Sequence, residues 1–368
     1  MSHRIPNLKS PIPGRSPGMP FRFRGCYTAV VTPFDAKRKV NWSKIKALAQ
    51  FQREQGVRGI VPAGTTGESP TIDWEEHYKV IDTYFQAAGS SIETIAGTGS
   101  NSTEESLEAT EHIYDKGMRA ALLVDPYYNG PSSLEMRREY YEPMADAYPE
   151  VQMIPYVIPG RTGTQLLPQD LAILAREHTN LQAVKEATGS ADNARLTRKL
   201  CGPEFSIMSG DDDKTLSFMR DDSIVCSGVI SVISNIAPKA VEDLAEAALA
   251  GNFEEADRLS TALQPLFAMV TVRSEENTSL GPVPFRARNP LPVKTMMNIL
   301  GMGVGPCRRP LGLVTKHALS HILQGLQKVW EQNPEILQPI EGAFDVSLDK
   351  RLRDPKFLQG LAYEDGYD

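Results

Sequence analysis

The sequence predicts a closed parallel (β/α)8 TIM barrel with an appended C-terminal helical segment, and three observations carry the prediction. From Gly25 onward, short β-branched runs alternate with helical stretches at a period of roughly 25–30 residues. The strand candidates end repeatedly in Gly, Pro or polar residues, where a barrel carries its loops. Eight units in about 210 residues repeat too evenly for an open doubly wound sheet, and no GxGxxG follows any strand.

The expected strands are 26–32, 59–63, 94–97, 120–124, 153–158, 181–187, 205–209 and 228–232. Helices are expected between them at 43–55, 74–88, 103–116, 133–147, 168–178, 191–200 and 214–220. Beyond Asn235 the pattern turns helical without strands, at 238–250, 253–269, 293–300 and 315–332. The expected organisation is therefore an arm (1–24), a barrel (25–235), a helical segment (236–332) and an extension of unassigned role (333–368).

Composition narrows the function. Of the 368 residues, 39 are Lys or Arg and 46 are Asp or Glu, a net charge of −7. The basic residues form no sustained block, so no nucleic-acid partner is expected. No apolar run approaches the roughly 20 residues of a membrane span. Cys26, Cys201, Cys226 and Cys307 form no CxxC pair and read as reduced thiols in a cytosolic compartment. His317 and His321 share a helix face but lack an HExxH context, so a surface helix is the better reading and no metal site is expected. The arm is rich in Pro, Gly, Ser and Arg without an acidic residue, and is expected to be flexible. Its arginines also permit an organellar transit peptide, against which its prolines argue, so the expected location is cytoplasmic, or stromal if the arm is a transit signal.

Chemistry belongs at the carboxyl ends of the strands. Strand 2 ends in Gly64-Thr65-Thr66-Gly67-Glu68, two hydroxyls and several backbone N–H groups that can cradle a carboxylate or phosphate. Taken alone, an ordinary Gly-containing βα turn with a threonine cap is the better reading. Strand 4 ends in Pro126-Tyr127-Tyr128-Asn129, and strand 5 runs from Tyr156 into Gly160-Arg161-Thr162-Gly163. Tyr128 and Tyr156 are candidates to move protons or simply rim aromatics, and Arg161 is suited to grip a carboxylate by two parallel hydrogen bonds. Strand 6 carries Lys185 inside an otherwise apolar run. Burial depresses an amine's pKa and makes it a nucleophile for a ketone, as Schiff-base chemistry requires. An ion-paired or outward-facing lysine is the alternative. With no metal-ligand cluster in the sequence, a lysine mechanism is favoured over a metal-dependent aldol reaction.

Together these motifs resemble the dihydrodipicolinate synthase / N-acetylneuraminate lyase family of class I aldolases over roughly residues 25–330. The likeness rests on GTTGES (64–69), GTGSN (97–101), DPYYNGPS (125–132), GRTG (160–163), VKEATG (184–189), SGDD (209–212), GVISV (228–232) and NPLPVK (289–294). The resemblance implies that Lys185 forms an imine with pyruvate, that Thr66 and adjoining amides hold the pyruvate carboxylate, and that no separate cofactor is needed. It implies a proton relay of Thr65, Tyr128 and Tyr156, with Tyr128 reaching in from a neighbouring subunit. Gly210 and Ile230 would line the pocket through their backbones, and Arg161 would position the carboxylate of L-aspartate-4-semialdehyde. The arginine and Thr65 separate the chain from sialic acid lyases, which generally lack the one and carry serine for the other.

The resemblance further implies a homotetramer and feedback inhibition by L-lysine at a tight dimer interface. Ser69, Trp74, His77, Asn101, Glu105 and Tyr127 would form that site, although the same residues also suit an ordinary interface. Three departures stand out: Val157 replaces the usual asparagine, Pro70 follows Ser69, and the chain carries an insert at 274–288 and a long tail after Gln332. Two rivals remain at this point, a related pyruvate aldolase or dehydratase acting on a keto-sugar or hydroxyproline-derived acid, and a non-catalytic binding or regulatory protein on the same fold.

Overall fold

The computed structural model describes residues 22–365 and 367. The barrel strands are β1 (Gly25–Ala29), β2 (Gly59–Val61), β3 (Glu93–Thr94), β4 (Ala96–Gly97), β5 (Ala120–Val124), β6 (Gln152–Val157), β7 (Ala183–Glu186), β8 (Ser206–Ser209) and β9 (Gly228–Ser231). They form one parallel sheet in the order β3-β2-β1-β9-β8-β7-β6-β5-β4. β3 and β4 are two halves of one strand interrupted at Ile95, whose N–H still donates to Ile60 O at 3.0 Å. The two ends of the order are therefore the same strand, and the sheet closes as the eight-fold repeat predicts.

Side-chain parity fixes what faces inward. Ala120 and Leu122, Ile154 and Tyr156, Ala183, Met208 and Ile230 fill the barrel interior with Tyr27 and Val61. Their neighbours Ala121, Leu123, Met153, Val184 and Ile207 pack outward against helices. Both faces are apolar, as a helix-covered parallel sheet requires. The same alternation puts Lys185, two residues after Ala183, inside the barrel near its carboxyl end.

Most predicted helices form within a residue or two of expectation. The helix expected at 133–147 is continuous but changes pitch: Ser133–Met136 leads into a π-helical turn, Arg137–Tyr141, and then into Glu142–Ala147. Pro143 lacks an N–H and cannot sustain the α ladder there.

Two expectations need correction, and the extension, left unassigned above, acquires a role. Residues 1–21 of the predicted arm lie outside the described residues, but Phe23 is no part of a flexible arm. It is buried in the barrel interior with Tyr27, and its N–H donates to Ser206 Oγ at 3.0 Å. The segment after Asn235 is not free of strands: β10 (Thr271–Thr278) and β11 (Gly281–Arg288) form an antiparallel hairpin that contains the insert. The extension also has a structural role, since Ile336, Leu337, Ile340, Leu348 and Leu352 are buried in the outer core. Arg351 caps the helix Leu291–Ile299 by donating to Asn298 O at 2.8 Å and Ile299 O at 2.7 Å, satisfying carbonyls that a helix end leaves open.

Candidate active site

A cavity of about 210 Å³ opens at the carboxyl ends of the strands. Its walls include Thr65, Ser69, Tyr127, Tyr156, Arg161 and Thr162. Two glycines let the strand ends approach this closely. A Cβ on Gly97 would sit 2.4 Å from Ala63 O, and one on Gly210 would sit 2.6 Å from Ala187 Cβ.

Lys185 is buried at 4% exposure, and its Nζ lies 3.9 Å from the centroid of the Tyr156 ring. The two residues are register partners on β6 and β7. Lys185 thus faces inward, which removes the outer-layer alternative. The adjacent Glu186 is held instead by Thr188 N at 2.8 Å and Asn193 Nδ2 at 2.7 Å. Asp211 is a carboxylate close enough for Lys185 and Arg161 to oppose the rise in its pKa that burial causes.

The loop after β2 is anchored from below. Lys294 Nζ, buried, donates to Glu68 Oε1 at 2.7 Å, Thr32 O at 3.0 Å and Pro306 O at 3.0 Å. Glu68 also accepts from Arg308 N at 2.8 Å, and its φ is +61°. Charges this deeply buried are tolerated only when paired and hydrogen-bonded. Here they hold the loop that carries Thr65, which lines the cavity, and its neighbour Thr66, which does not. Thr66 is buried, and its Oγ1 accepts from Asn289 Nδ2 at 2.9 Å.

Arg161 follows β6 on the short helix Pro159–Thr162 and donates through Nη2 to Asn289 O at 2.8 Å. Asn289 therefore ties the threonine loop to the arginine turn. Its own Oδ1 is buried without a partner among the described residues. The NPLPVK motif contributes Asn289 and Lys294 to this frame, a role its position late in the sequence did not reveal.

Of the remaining residues assigned to catalysis or substrate binding, Gly210 donates its N–H to Glu186 O at 2.7 Å, and Ile230 faces the interior opposite Tyr27 in register. Tyr128 is not brought to this cavity. It is 94% exposed and held at φ +77°, a conformation that costs a non-glycine residue roughly 1–3 kcal/mol. Asp125, three residues before it, is fully buried and accepts from Tyr141 Oη at 2.6 Å and Leu166 N at 3.1 Å. Burial pushes its carboxyl up to about 7 despite those bonds.

Four of the six residues assigned to lysine binding form two connected pairs, and Ser69 and Glu105 stand outside them. Trp74 and His77 have ring centroids 4.7 Å apart, and Asn101 Oδ1 accepts from Tyr127 N at 2.7 Å. Glu105 accepts from Ser100 Oγ. His77 is buried, its Nε2 lies 2.7 Å from Gly97 O, and burial lowers its pKa to about 4, so it is neutral near neutral pH. Tyr127 lines both the barrel cavity and a second cavity of about 310 Å³ that includes Asn101, whereas Ser69 lines the first.

Among the described residues, no group of three or more His, Cys, Asp or Glu side chains is placed to hold a metal ion, and no helix is long and apolar enough to cross a membrane.

Residues 22–329 match the model of the Dihydrodipicolinate synthetase family. The 4-hydroxy-tetrahydrodipicolinate synthase of Geotalea daltonii is 42% identical over 289 residues, covering 78% of this chain and 92% of its own. The dihydrodipicolinate synthase of Cyanidioschyzon merolae, solved with lysine bound, is 34% identical and superposes with a TM-score of 0.76 over 83% of this chain and 98% of its own. The chloride-inhibited enzyme of Acinetobacter baumannii, solved with pyruvate, is 33% identical with a TM-score of 0.74 over the same shares. With its barrel, its inward lysine and this likeness over most of its length, the chain belongs to the dihydrodipicolinate synthetase family and is a lyase.

Proposed function

We propose that the chain condenses pyruvate with L-aspartate-4-semialdehyde to form 4-hydroxy-tetrahydrodipicolinate, the precursor of diaminopimelate and lysine. The observation that carries this reading is the buried Lys185 Nζ, 3.9 Å from the ring centroid of Tyr156, which with Arg161 lines the cavity. Relatives 39–42% identical carry this activity in their names.

The Lys185 amine adds to the ketone carbon of pyruvate, water leaves, and an imine forms. Thr66 and the neighbouring amides hold the pyruvate carboxylate. Loss of a C3 proton gives an enamine, whose C3 attacks the aldehyde carbon of the second substrate while Arg161 holds that substrate's carboxylate. The substrate's own amine then adds to the imine carbon and expels Lys185 as the free amine. Tyr156 shuttles the protons, joined by Thr65 and by Tyr128 of a neighbouring copy. The exposure and positive φ of Tyr128 support that last role, since its hydroxyl has no place in its own chain's cavity. The site then needs at least a dimer, and a cytoplasmic dimer of dimers is the assembly we expect.

Feedback by L-lysine is part of the reading. The ligand's ammonium would meet Glu105, its α-groups Asn101, Ser69 and Tyr127, and its methylenes Trp74, while His77 supports the Trp74 ring. The Cyanidioschyzon merolae relative was solved with lysine bound, and Tyr127 borders both cavities here.

Initial rates of pyruvate condensation with the semialdehyde, measured across an L-lysine titration, test the whole reading. Turnover that lysine suppresses supports it. Turnover indifferent to lysine leaves Trp74 and Glu105 as interface residues. Trapped pyruvate without turnover moves the activity to another aldehyde, such as one giving a keto-sugar acid.

A further inference from the structure

The hairpin β10–β11 reaches the turn that carries Arg161 through its last residue, Arg288, and the charge on one of its faces is unbalanced. Register places Arg273 directly opposite Arg286, with Arg288 opposite Thr271. Val272 and Ala287, one residue away on each strand, are buried in the core. By alternation the three arginines therefore share the opposite face of the hairpin. Like charges directly opposite on a hairpin are destabilising, so the Arg273–Arg286 pair works against the fold's own stability. Glu275 is the acidic residue sharing that face, and among the described residues no carboxylate lies within ion-pair distance of Arg273, Arg286 or Arg288.

The cationic face meets the substrate arginine. Arg288 donates through Nη1 and Nη2 to Gly160 O at 3.3 and 3.2 Å, while Arg161 donates back to Asn289 O at 2.8 Å. Adjacent residues on two segments thus exchange guanidinium-to-carbonyl bonds. Arg161, Arg286 and Arg288 are close enough to repel one another, which adds to the desolvation that lowers the pKa of Arg161 and Arg288. Asp211, after β8, offsets this at Arg161.

We infer that the hairpin is an electrostatic entrance to the site, in which Arg286 and Arg288 capture the carboxylate of an incoming 2-oxo monoanion and deliver it past Arg161. A cleft lined by one sign of charge concentrates an oppositely charged substrate, and salt screens that effect. A net-neutral zwitterion such as the semialdehyde gains less, so the signature belongs to pyruvate. The inference rests on the pyruvate-imine reading of the same site.

The test is the second-order rate of borohydride-trapped pyruvate imine on Lys185 in the full-length protein, from low ionic strength to about 0.3 M, where the Debye length is well under 10 Å. The wild-type rate should fall with salt. R286E and R288Q should lower it roughly three- to tenfold at low salt, flatten the salt slope and converge on wild type at high salt, while R286K keeps the wild-type slope. A variant slope equal to wild type, or a loss that persists unchanged at high salt, would overturn the inference. If the wild type traps pyruvate and the variants match it, only the entrance is lost. Absence of trapping in the wild type sinks both readings.

Discussion

Lys185 Nζ lies 3.9 Å from the centroid of the Tyr156 ring, and the two residues are register partners on adjacent parallel strands. Strand pairing, rather than loop geometry, sets the distance between the amine and the aromatic. Tyr156→Phe keeps that ring and removes only the hydroxyl. The variant should still trap pyruvate, while its condensation rate falls about a hundredfold or more, the usual scale of a lost proton-transfer group. Undiminished turnover would remove Tyr156 from the relay.

Arg161 bonds to Asn289 O and lines the cavity, and the proposed function gives it the carboxylate of the second substrate. Arg161→Ala should reduce kcat/KM for the semialdehyde far more than it slows imine formation. Equal losses in the two measurements would mean that the arginine only supports its turn.

Lys294 and Glu68 form a buried pair beneath the threonine loop. Lys294→Met strands the carboxylate and should destabilise the protein by about 3–5 kcal/mol, read as a fall in denaturation midpoint. Pairing it with Glu68→Gln should recover part of the loss. An unchanged midpoint in the single variant would show that the pair does not hold the loop.

Asp125 carries a pH signature. Its folded pKa, about 7, exceeds the unfolded value near 3.8 because burial outweighs its hydrogen bonds from Tyr141 and Leu166, with Glu186 adding repulsion. The folded state therefore holds a proton that the unfolded state releases. Its contribution is most favourable below about pH 4 and is lost as pH rises toward 7. Asparagine mimics the neutral acid, so Asp125→Asn should gain stability relative to wild type across that window. Parallel stability-against-pH curves for the two proteins would contradict this assignment.

Asn101 bonds the Tyr127 backbone at the wall between the two cavities. Asn101→Ala should weaken lysine binding and inhibition while leaving pyruvate trapping intact. Calorimetry showing no lysine binding to the wild type at millimolar concentration would eliminate the regulatory site.

The barrel was legible in the sequence because β5 and its neighbours are apolar on both faces, while Lys185 breaks that pattern at an inward position. The hairpin was not. Pro282 and Pro284 interrupt β11, and proline argues against a strand unless the strand lies at an edge, as in a two-stranded ribbon it must. Asn289 escaped for another reason: its partners lie 223 and 128 residues away, and local pattern carries no information at that range. Phe23 sits in a stretch whose composition is that of the arm, although its ring belongs to the barrel interior. The resemblance to the family supplied the roles of Thr65, Thr66, Arg161 and Tyr128, which spacing alone left open.

The most direct measurement is peptide mapping of the protein after borohydride reduction in the presence of pyruvate, on wild type and Lys185→Ala side by side. The account predicts one reduced pyruvate adduct on Lys185 and none in the variant. An adduct on a different lysine, or equal labelling of both proteins, would contradict it.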